Sequence, residues 1–377
     1  MLENIETIRL KDFIKYAGKR KKQMENSSTF IVAEAGVNHN GSLETAKKLI
    51  DVSVQAGADA VKFQTFRTDR LVTATAPKAN YQIVNTGTDE SQFEMLEKLE
   101  LSPEMHRKLF SYCSKKNIIF MSTPFDEASV DLLDNLGMEI FKISSCEITN
   151  KPLIQHIASK KKSVILSTGM SHLGEVEKAI GWINEIWDKY KPLNRPSTHP
   201  LINPLTILHC VSSYPARMED ANLRAIKTME MAFGLPVGYS DHTMGIEAAI
   251  AAVAIGAKVV ERHFTLNREM EGPDHKASLE PSELKAMVKA IRSIEKAMGD
   301  GIKKTVNGEI STKKIARRSL VAARDIKAGE TISPDDIVIK RPGTGIPAEF
   351  KDKVVGMKPG SDISVDSVIK WEDLKHA

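Results

Sequence analysis

Eight short, mostly apolar runs alternate with helical patterns along most of this chain, and each run becomes polar at its end. The runs are Phe30–Gly36, Ala60–Thr65, Ile118–Pro124, Ile140–Ser145, Val164–Met170, Leu205–Ser212, Pro236–His242 and Lys258–Thr265. Strands that alternate with segments of helical period, such as Leu43–Gln55, predict a parallel α/β sheet. Eight units fit a (β/α)8 TIM barrel, and no GxGxxG motif follows the first run to indicate an open dinucleotide-binding sheet.

The composition is that of an ordinary globular protein. Of the 377 residues, 27% are charged and 41% are hydrophobic, and a net charge of +4 indicates no nucleic-acid partner. Three cysteines, Cys113, Cys146 and Cys210, form no paired framework, which suits a reducing compartment. No apolar stretch is long enough to span a membrane, and Met1–Lys22 resembles no signal peptide. We therefore expect a cytoplasmic protein without a membrane partner.

The chain is longer than a barrel requires, and its pattern changes near residue 300. We predict an N-terminal extension (1–28), a TIM-barrel catalytic domain (29–300), a linker (301–316) and a small, mostly β domain (317–377). The strand-like pieces of that domain are Ser319–Ala322, Ile337–Lys340, Val354–Met357 and Ser367–Trp371. Within the barrel, the segment Arg67–Leu101 is long for a loop, and such loops usually form lids or interfaces.

Two histidines follow neighbouring strands of the predicted barrel. His242 ends the seventh run and His263 lies near the end of the eighth, and the carboxyl ends of barrel strands meet at one mouth. Two imidazoles with water and substrate oxygens suit a divalent ion such as Mn²⁺ or Mg²⁺. Structural zinc is disfavoured because it needs more protein ligands. Each histidine alone is better explained as a hydrogen-bonded barrel residue, but the pair, with Asp241 able to orient His242, indicates a metal site.

Two lysines, Lys62 and Lys142, interrupt apolar strands. An unpaired buried ammonium costs several kcal/mol, so each needs an anion nearby. That anion is either the Glu34 carboxylate or the phosphate and carboxylate of a small substrate. Hydroxyls and amides at the ends of the fourth and fifth runs favour a substrate anion, and they belong to Ser144, Ser145, Ser167, Thr168 and Gly169.

The carboxylate of Glu34 lies in an apolar strand before a polar loop. The sequence does not decide between three roles for this carboxylate: binding a substrate hydroxyl, acting as a general base, or pairing with Lys62.

Eight ordered motifs then closely resemble the sialic acid synthases. They are IVAEAGVNHNG (Ile31–Gly41), AVKFQ (Ala60–Gln64), STPFD (Ser122–Asp126), FKISS (Phe141–Ser145), LSTGM (Leu166–Met170), GYSDHT (Gly238–Thr243), ERHFT (Glu261–Thr265) and GPD (Gly272–Asp274). The motif KRPGTG (Lys340–Gly345) extends the resemblance into the small domain. The resemblance implies a barrel followed by an antifreeze-like (SAF) domain. It also implies condensation of phosphoenolpyruvate with an N-acetylated hexosamine to give a nine-carbon 2-keto acid and phosphate.

The resemblance also implies roles for individual residues. It assigns His242 and His263 to Mn²⁺ (or Mg²⁺), and gives both, with Glu34, a part in catalysis. Phosphoenolpyruvate would be held by Lys62, Thr123, Lys142, Ser145 and Ser167. The amino sugar would face Glu34, Gln64, Ser212, Tyr214 and Asp274. Arg341 of the small domain would complete the site of the other subunit, which makes a domain-swapped homodimer.

The sugar itself is open to more than one interpretation. N-Acetylmannosamine is the substrate expected from the family, but N-acetylneuraminate synthases carry Asn where this chain has Ser212. Legionaminate synthases, which use 2,4-diacetamido-2,4,6-trideoxymannose, are therefore the alternative. Pseudaminate synthases rank third because they usually lack the histidine at His209. A Schiff-base aldolase with Lys62 or Lys142 as nucleophile, and an ice- or carbohydrate-binding module, are more distant alternatives.

Overall fold

The computed structural model of the protein describes residues 28–86, 90–189 and 204–375. The predicted extension 1–28, apart from Ser28, lies outside the described residues. The described residues divide into two compact units, one that ends at Gly301 and one that begins at Ile302. None of the described helices is long and apolar enough to cross a membrane.

Eight parallel strands form the centre of the first unit. They are β1 (Phe30–Gly36), β2 (Ala60–Thr65), β3 (Ile119–Pro124), β4 (Ile140–Ile143), β5 (Ser163–Ser167), β6 (Leu205–Cys210), β7 (Val237–Asp241) and β8 (Val259–His263). Their hydrogen-bonded order is β3-β2-β1-β8-β7-β6-β5-β4, and β3 also contacts β4. The strands thus form a nearly closed (β/α)8 barrel, as the sequence predicts. Their ends lie within three residues of the predicted positions.

One main helix follows each strand. These helices are α1 (Leu43–Ala56), α5 (Pro103–Lys116), α6 (Glu127–Asn135), α7 (Lys151–Ser159), α8 (Leu173–Lys189), α9 (Ala225–Phe233), α10 (Glu247–Ala254) and α11 (Pro281–Met298). Helix α1 shows how the sequence defines such an element. The Ser42 side chain accepts the Thr45 N–H at its start, and Gly57 ends it with a left-handed φ of 81°. Its buried face includes Leu49 and Ile50, which pack against the strands.

The interior of the barrel changes from apolar to polar along each strand. Phe30, Val32 and Glu34 share one face of β1, because side chains two apart point the same way. Phe30 and Val32 belong to a buried apolar cluster inside the barrel, together with Ala60, Met121, Ile140, Ile165, Leu208 and Val259. The next inward position on β1, β2 and β4 is charged: Glu34, Lys62 and Lys142. The apolar layer therefore supports a charged layer above it.

The long segment after β2 folds into three short helices. They are α2 (Thr68–Leu71), α3 (Asn80–Thr86) and α4 (Gln92–Glu97). Phe66, Met95 and Leu99 pack with Val37 in a small apolar cluster, so the insert has its own anchor on the barrel. The Asn85 side-chain amide also donates a hydrogen bond to the carbonyl of Pro273, at 2.6 Å, in the loop after β8.

The second unit is a small domain around one antiparallel strand pair. It contains α12 (Ile310–Ala316), β9 (Ser319–Ala322), β10 (Ile337–Lys340) and α13 (Lys351–Val354). Its core includes Leu320, Ile326, Ile337 and Ile369.

Two of the strands predicted for this domain are wrong. Val354–Met357 begins at the last residue of α13 and forms no strand, and Ser367–Trp371 contributes only an isolated bridge from Val368 to Val321. The predicted linker 301–316 contains α12.

Candidate active site at the carboxyl end of the barrel

A cavity of about 410 Å³ opens at the carboxyl ends of the strands, where barrel enzymes place their active sites. Each of the eight strands contributes at least one lining side chain: Glu34, Lys62 and Gln64, Thr123, Lys142, Ser167, Cys210, Ser240, and Glu261 with His263. Residues of the insert, among them Tyr81, Gln82 and Gln92, line the same cavity. Eleven of the thirteen predicted site residues line this cavity, and three of them, Ser145, Ser212 and Tyr214, come from the loops that follow the strands. Asp274 and Arg341 do not line this cavity.

Four buried charged residues form the charged floor of the cavity: Glu34, Lys62, Lys142 and Glu261. The Lys62 Nζ lies 2.7 Å from Glu34 Oε2 and 3.6 Å from Glu261 Oε2. The Lys142 Nζ lies 3.3 Å from Glu261 Oε1. The predicted pairing of Lys62 with Glu34 is therefore present, and Glu261 links the two lysines.

The electrostatics of the charged floor differ from residue to residue. Burial raises the pKa of Glu34 to about 7, with Lys62 opposing that rise. Burial also acts against ionisation of Glu261, but Lys142 and Lys62 outweigh it and lower the pKa of that carboxyl to about 2. Burial lowers the pKa of Lys142, whereas Glu261 and Glu34 overcome burial and raise the pKa of Lys62. Glu261 is thus the fixed counter-ion, and Glu34 is the carboxyl suited to exchange a proton.

Hydroxyl groups surround the two lysines. The Lys62 Nζ donates to Thr123 Oγ1 at 3.0 Å, and Ser145 Oγ accepts the Gly169 N–H at 2.9 Å. The Ser167 hydroxyl is buried and has no hydrogen-bond partner among the described residues. A Cβ at Gly169 would lie 2.2 Å from Ser212 Oγ, so glycine at this position lets the loop after β5 lie against Ser212. An orphaned hydroxyl beside two lysines suits an anionic ligand.

Two other hydroxyls of the predicted cluster behave differently. Thr168 Oγ1 donates to the carbonyl of Leu208 at 2.9 Å, so it caps a strand rather than facing the cavity. Ser144 lines the cavity, with its Oγ 3.1 Å from Cys146 Sγ.

The two histidines lie next to each other, with ring centroids 5.4 Å apart. The His242 Nδ1 lies 2.7 Å from the carbonyl of Val211, so this nitrogen donates and Nε2 keeps its lone pair. His263 Nδ1 is buried without a hydrogen-bond partner among the described residues, 4.0 Å from Asp274 Oδ2. Burial chiefly lowers the pKa of His263 well below its ordinary value, which keeps the ring neutral.

Imidazole nitrogens that make no hydrogen bond within the protein can bind a divalent metal ion. In the described part of the chain, however, no three His, Cys, Asp or Glu side chains form a group that could hold one. The protein would thus provide two ligands and leave the other positions to water and substrate.

The expected orientation of His242 by Asp241 is wrong. Asp241 Oδ1 accepts the Thr243 N–H at 2.9 Å and lies 3.4 Å from Arg262 Nη1. Adjacent residues of a strand point to opposite faces, so Asp241 cannot reach the histidine beside it. The carbonyl of Val211 holds His242 instead.

Two of the residues predicted to face the amino sugar, Tyr214 and Asp274, lie beside the histidines. The Tyr214 ring packs on His242, with centroids 4.1 Å apart, and edge-on to His263 at 5.7 Å. Asp274 is buried, and burial raises the pKa of its carboxyl to about 6. Gln64 and Ser212 line the cavity. Arg341 is an exposed residue of the second unit, directly after β10.

Sequence reasoning missed Glu261 and the cavity residues of the insert. Glu261 had a signal, since it lies two residues before His263 and therefore points into the barrel with the other strand-end groups. Tyr81, Gln82 and Gln92 had none, because only the folded insert brings them to the cavity.

Comparisons with known proteins agree with this geometry. The NeuB family model matches residues 49–303, and the SAF domain model matches residues 317–375. The chain is 48% identical to the N,N'-diacetyllegionaminic acid synthase of Campylobacter jejuni, over 91% of this chain and 99% of that protein. It is 45% identical to the synthase of the same name from Legionella pneumophila, over 94% of this chain and 97% of that protein.

A solved structure gives the same assignment. The N-acetylneuraminic acid (sialic acid) synthetase of Leptospira borgpetersenii aligns with a TM-score of 0.64 and 34% identity, over 76% of this chain and 90% of that chain. The chain therefore belongs to the NeuB family, that of the sialic acid synthases, and is a phosphoenolpyruvate-dependent, carbon–carbon bond-forming synthase of the transferase type with a C-terminal SAF domain.

Proposed function

We propose that this protein condenses phosphoenolpyruvate with 2,4-diacetamido-2,4,6-trideoxymannose and water, to give N,N'-diacetyllegionaminate and phosphate. The observation that carries the proposal is one cavity that joins two buried lysines, a set of hydroxyls and two neighbouring histidines. The sequence alone favours N-acetylmannosamine as the sugar. We prefer the legionaminate alternative because the two relatives named for that product are more similar to this chain than the N-acetylneuraminic acid synthetase. Ser212 supports the same choice.

The charged floor binds the anionic substrate in this proposal. Lys62 and Lys142 hold the phosphate and carboxylate of phosphoenolpyruvate, and Thr123, Ser145 and Ser167 donate hydrogen bonds to them. In a cavity with little water, such fixed charges stabilise negative charge that develops during the reaction. Glu261 keeps the two lysines in place when no substrate is bound, because its carboxylate pairs with both.

The sugar binds between the histidines and the cavity opening. His242 and His263 hold a divalent ion, Mn²⁺ or Mg²⁺, which when bound supplies Lewis-acid polarisation of the sugar aldehyde. Gln64, Ser212, Tyr214 and Asp274 orient the open-chain sugar so that its aldehyde carbon faces the enol carbon of phosphoenolpyruvate.

Glu34 carries the proton in this proposal. The enol carbon attacks the aldehyde, water adds to the carbon that bears the phosphate, and phosphate leaves with the bridging oxygen. Glu34 accepts one proton from the added water and passes it to the former aldehyde oxygen, which becomes a hydroxyl, while the second proton of that water leaves with phosphate as the tetrahedral carbon becomes the ketone. A pKa of about 7 suits both steps near neutral pH.

The main test is phosphate release from phosphoenolpyruvate with a panel of sugars: 2,4-diacetamido-2,4,6-trideoxymannose, N-acetylmannosamine and N-acetylmannosamine 6-phosphate. We expect the highest kcat/KM with the diacetamido sugar. A preference for either other sugar would reject the proposed substrate and keep the enzyme class.

A label tests which bond breaks. Phosphoenolpyruvate with ¹⁸O at the bridging position should release phosphate that carries the label. If the label stays in the keto acid instead, phosphate leaves by P–O cleavage and the role given to added water is wrong.

We also propose a domain-swapped homodimer in which Arg341 completes the partner's site. Its support is the resemblance around KRPGTG and the exposed apolar side chains of the segment before the SAF domain, Val306, Ile310 and Ile315. The planar guanidinium would bind sugar oxygens through two N–H groups held in a fixed geometry.

The unpaired state of Cys113, Cys146 and Cys210 supports a cytoplasmic location for this enzyme.

Subunit mixing tests the swap. The inactive variants Arg341→Ala and His242→Ala are dissociated, mixed and reassociated, and heterodimers are confirmed by native mass spectrometry. If Arg341 acts in the partner's site, each heterodimer contains one intact site and activity returns. If it acts within its own chain, every site carries one lesion and no activity returns.

A further inference from the structure

The insert between β2 and α5 forms the opening of the cavity. Ala79, Tyr81, Gln82 and Gln92 contribute to its lining, and all four lie in or beside α3 and α4. Helix α3 is tied to the loop after β8 by the hydrogen bond from Asn85 to the carbonyl of Pro273. The insert is therefore a fixed wall of the cavity rather than a loop that only passes near it.

Tyr81 extends a column of rings that begins at the histidines. Its ring stacks on Tyr214, with centroids 5.2 Å apart and planes 30° apart, and Tyr214 in turn packs on His242 at 4.1 Å. Such offset stacking of aromatic rings is favourable beyond the area that it buries. The ring of Tyr81 thus faces the part of the cavity farthest along this column from the histidines.

Gln82 holds Tyr81 in this position. Gln82 is buried, its Oε1 accepts the Ala79 N–H at 2.9 Å, and Gln92 Nε2 donates to the same oxygen at 3.4 Å. These hydrogen bonds fix the start of α3, the helix that carries the Tyr81 ring.

The positions of the charged side chains in the cavity determine which end of the sugar can lie beside the Tyr81 ring. Among the described residues that line the cavity, two are lysines and none is an arginine. These lysines, Lys62 and Lys142, both belong to the charged floor. None of the described lysines and arginines of the insert lines the cavity, so the insert offers no cation to a sugar phosphate. The aldehyde end must lie near the floor for carbon–carbon bond formation, so the opposite end of the chain, C6, points to the opening.

We infer that Tyr81 is a specificity-determining residue whose ring packs against the C6 methyl group of the 6-deoxy sugar, with Gln82 as its positioning residue. This inference rests on the proposed function and adds the structural cause of its substrate choice. An apolar contact with one methyl group discriminates by about 10- to 200-fold. A hydroxymethyl group at C6 loses part of that contact, and a phosphate there faces an uncharged wall.

The test compares kcat/KM for 2,4-diacetamido-2,4,6-trideoxymannose and N-acetylmannosamine in wild-type protein and three variants, with phosphoenolpyruvate saturating. Tyr81→Phe keeps the ring and should keep the wild-type ratio of the two values. Tyr81→Leu keeps much of the volume without the ring and should reduce the ratio by about 10-fold, mainly through KM for the diacetamido sugar. Ile83→Ala, on the exposed side of the same helix, should change neither value; Ile83 is 48% exposed.

The outcomes separate the two proposals. If wild-type protein prefers N-acetylmannosamine, the proposed substrate fails and this inference fails with it, before any variant is considered. If wild-type protein prefers the diacetamido sugar and Tyr81→Leu retains the ratio, or lowers both values equally, only the role of Tyr81 is overturned. The KM for phosphoenolpyruvate should stay unchanged throughout, and a rise would show a general loss of structure.

Discussion

The floor and the opening of the cavity are built from different parts of the chain and by different chemistry. The charged floor comes from strand residues, Glu34, Lys62, Lys142 and Glu261, which sit on a buried apolar layer of the barrel. The opening comes from an insert and from loops, and it presents rings and amides such as Tyr81 and Gln82. Strands fix groups more rigidly than loops, so the floor suits the step that a whole family shares and the opening suits substrate choice.

The floor and the rest of this end of the barrel also differ in the ionisation of their buried side chains. The floor keeps four ionisable groups in mutual contact, and its lysines are held by carboxylates. Three buried histidines lie outside the floor: His39 in the loop after β1, His106 in α5 and His275 in the loop after β8. Burial lowers the pKa of each, to about 3 for His39 and about 4 for His275. Ion pairs hold the floor together, whereas burial keeps these three histidines uncharged near neutral pH.

The largest expected effect is at the histidines between these two regions. Exhaustive chelation should abolish phosphate release, and added Mn²⁺ should restore it, because only two protein ligands, His242 and His263, would retain the ion. His242→Ala and His263→Ala should both stay inactive after Mn²⁺ is added, and calorimetric titration should show loss of metal affinity. Full activity after chelation would show that the reaction needs no metal ion.

The next effect separates two lysines of the floor. Lys62→Met and Lys142→Met should each lower kcat/KM by about 10³-fold, since both remove a charge that stabilises the reacting anion. Their stabilities should differ. Lys62 contacts Glu34 and Glu261, so its loss breaks two buried ion pairs and should cost more stability than the loss of Lys142. Lys142 contacts Glu261, which keeps Lys62 as a partner, so its loss should cost less.

Phosphate release and thermal unfolding measure these two consequences separately. Lys115→Met, an exposed lysine of α5, is the matched control and should change neither. Equal losses of stability in Lys62→Met and Lys142→Met would show that Glu34 does not depend on Lys62.

The floor could be predicted from sequence because it follows from local rules. Side chains alternate along a strand, and the ends of parallel barrel strands meet, so Glu34, Lys62 and Lys142 must share one space. The same rule identifies Glu261, which lies two residues before His263. It also shows why Asp241 does not contact His242: neighbours in a strand point apart.

The opening could not be predicted in this way. Tyr81 meets Tyr214 only because the insert folds back over the barrel, and no periodicity in residues 66–102 sets that path. Two barrel helices, α5 and α7, by contrast carry local signals in the sequence. Pro103 follows the cap Ser102, and Leu153, Ile154 and Ile157 form the buried stripe of α7.

A smaller effect should follow from loosening the opening. Asn85→Ala removes the hydrogen bond between α3 and the carbonyl of Pro273, which leaves a buried acceptor and frees the wall that carries Tyr81. We expect KM for the sugar to rise about 3- to 10-fold, by roughly the worth of one such hydrogen bond, while KM for phosphoenolpyruvate stays unchanged. Asn80→Ala, exposed at the start of the same helix, is the control. Equal rises in both KM values would mean that the insert also supports the floor.

The last expected effect is on stability in acid rather than on activity, and it concerns the loop after β1 that carries His39. His39 accepts the Gly41 N–H through Nδ1, and its pKa of about 3 when folded lies below the ordinary value of 6.5. The unfolded chain therefore binds more protons than the folded one at pH 5, so this stabilisation is complete above pH 6.5 and is lost as pH falls toward 3. His39→Asn keeps an acceptor but cannot be protonated, and should reduce the fall in stability between pH 7 and 5 by about 2 kcal/mol. Thermal unfolding at a fixed scan rate measures it, with the exposed His172→Asn as control. An unchanged pH dependence in His39→Asn would place the acid-sensitive groups in the floor instead.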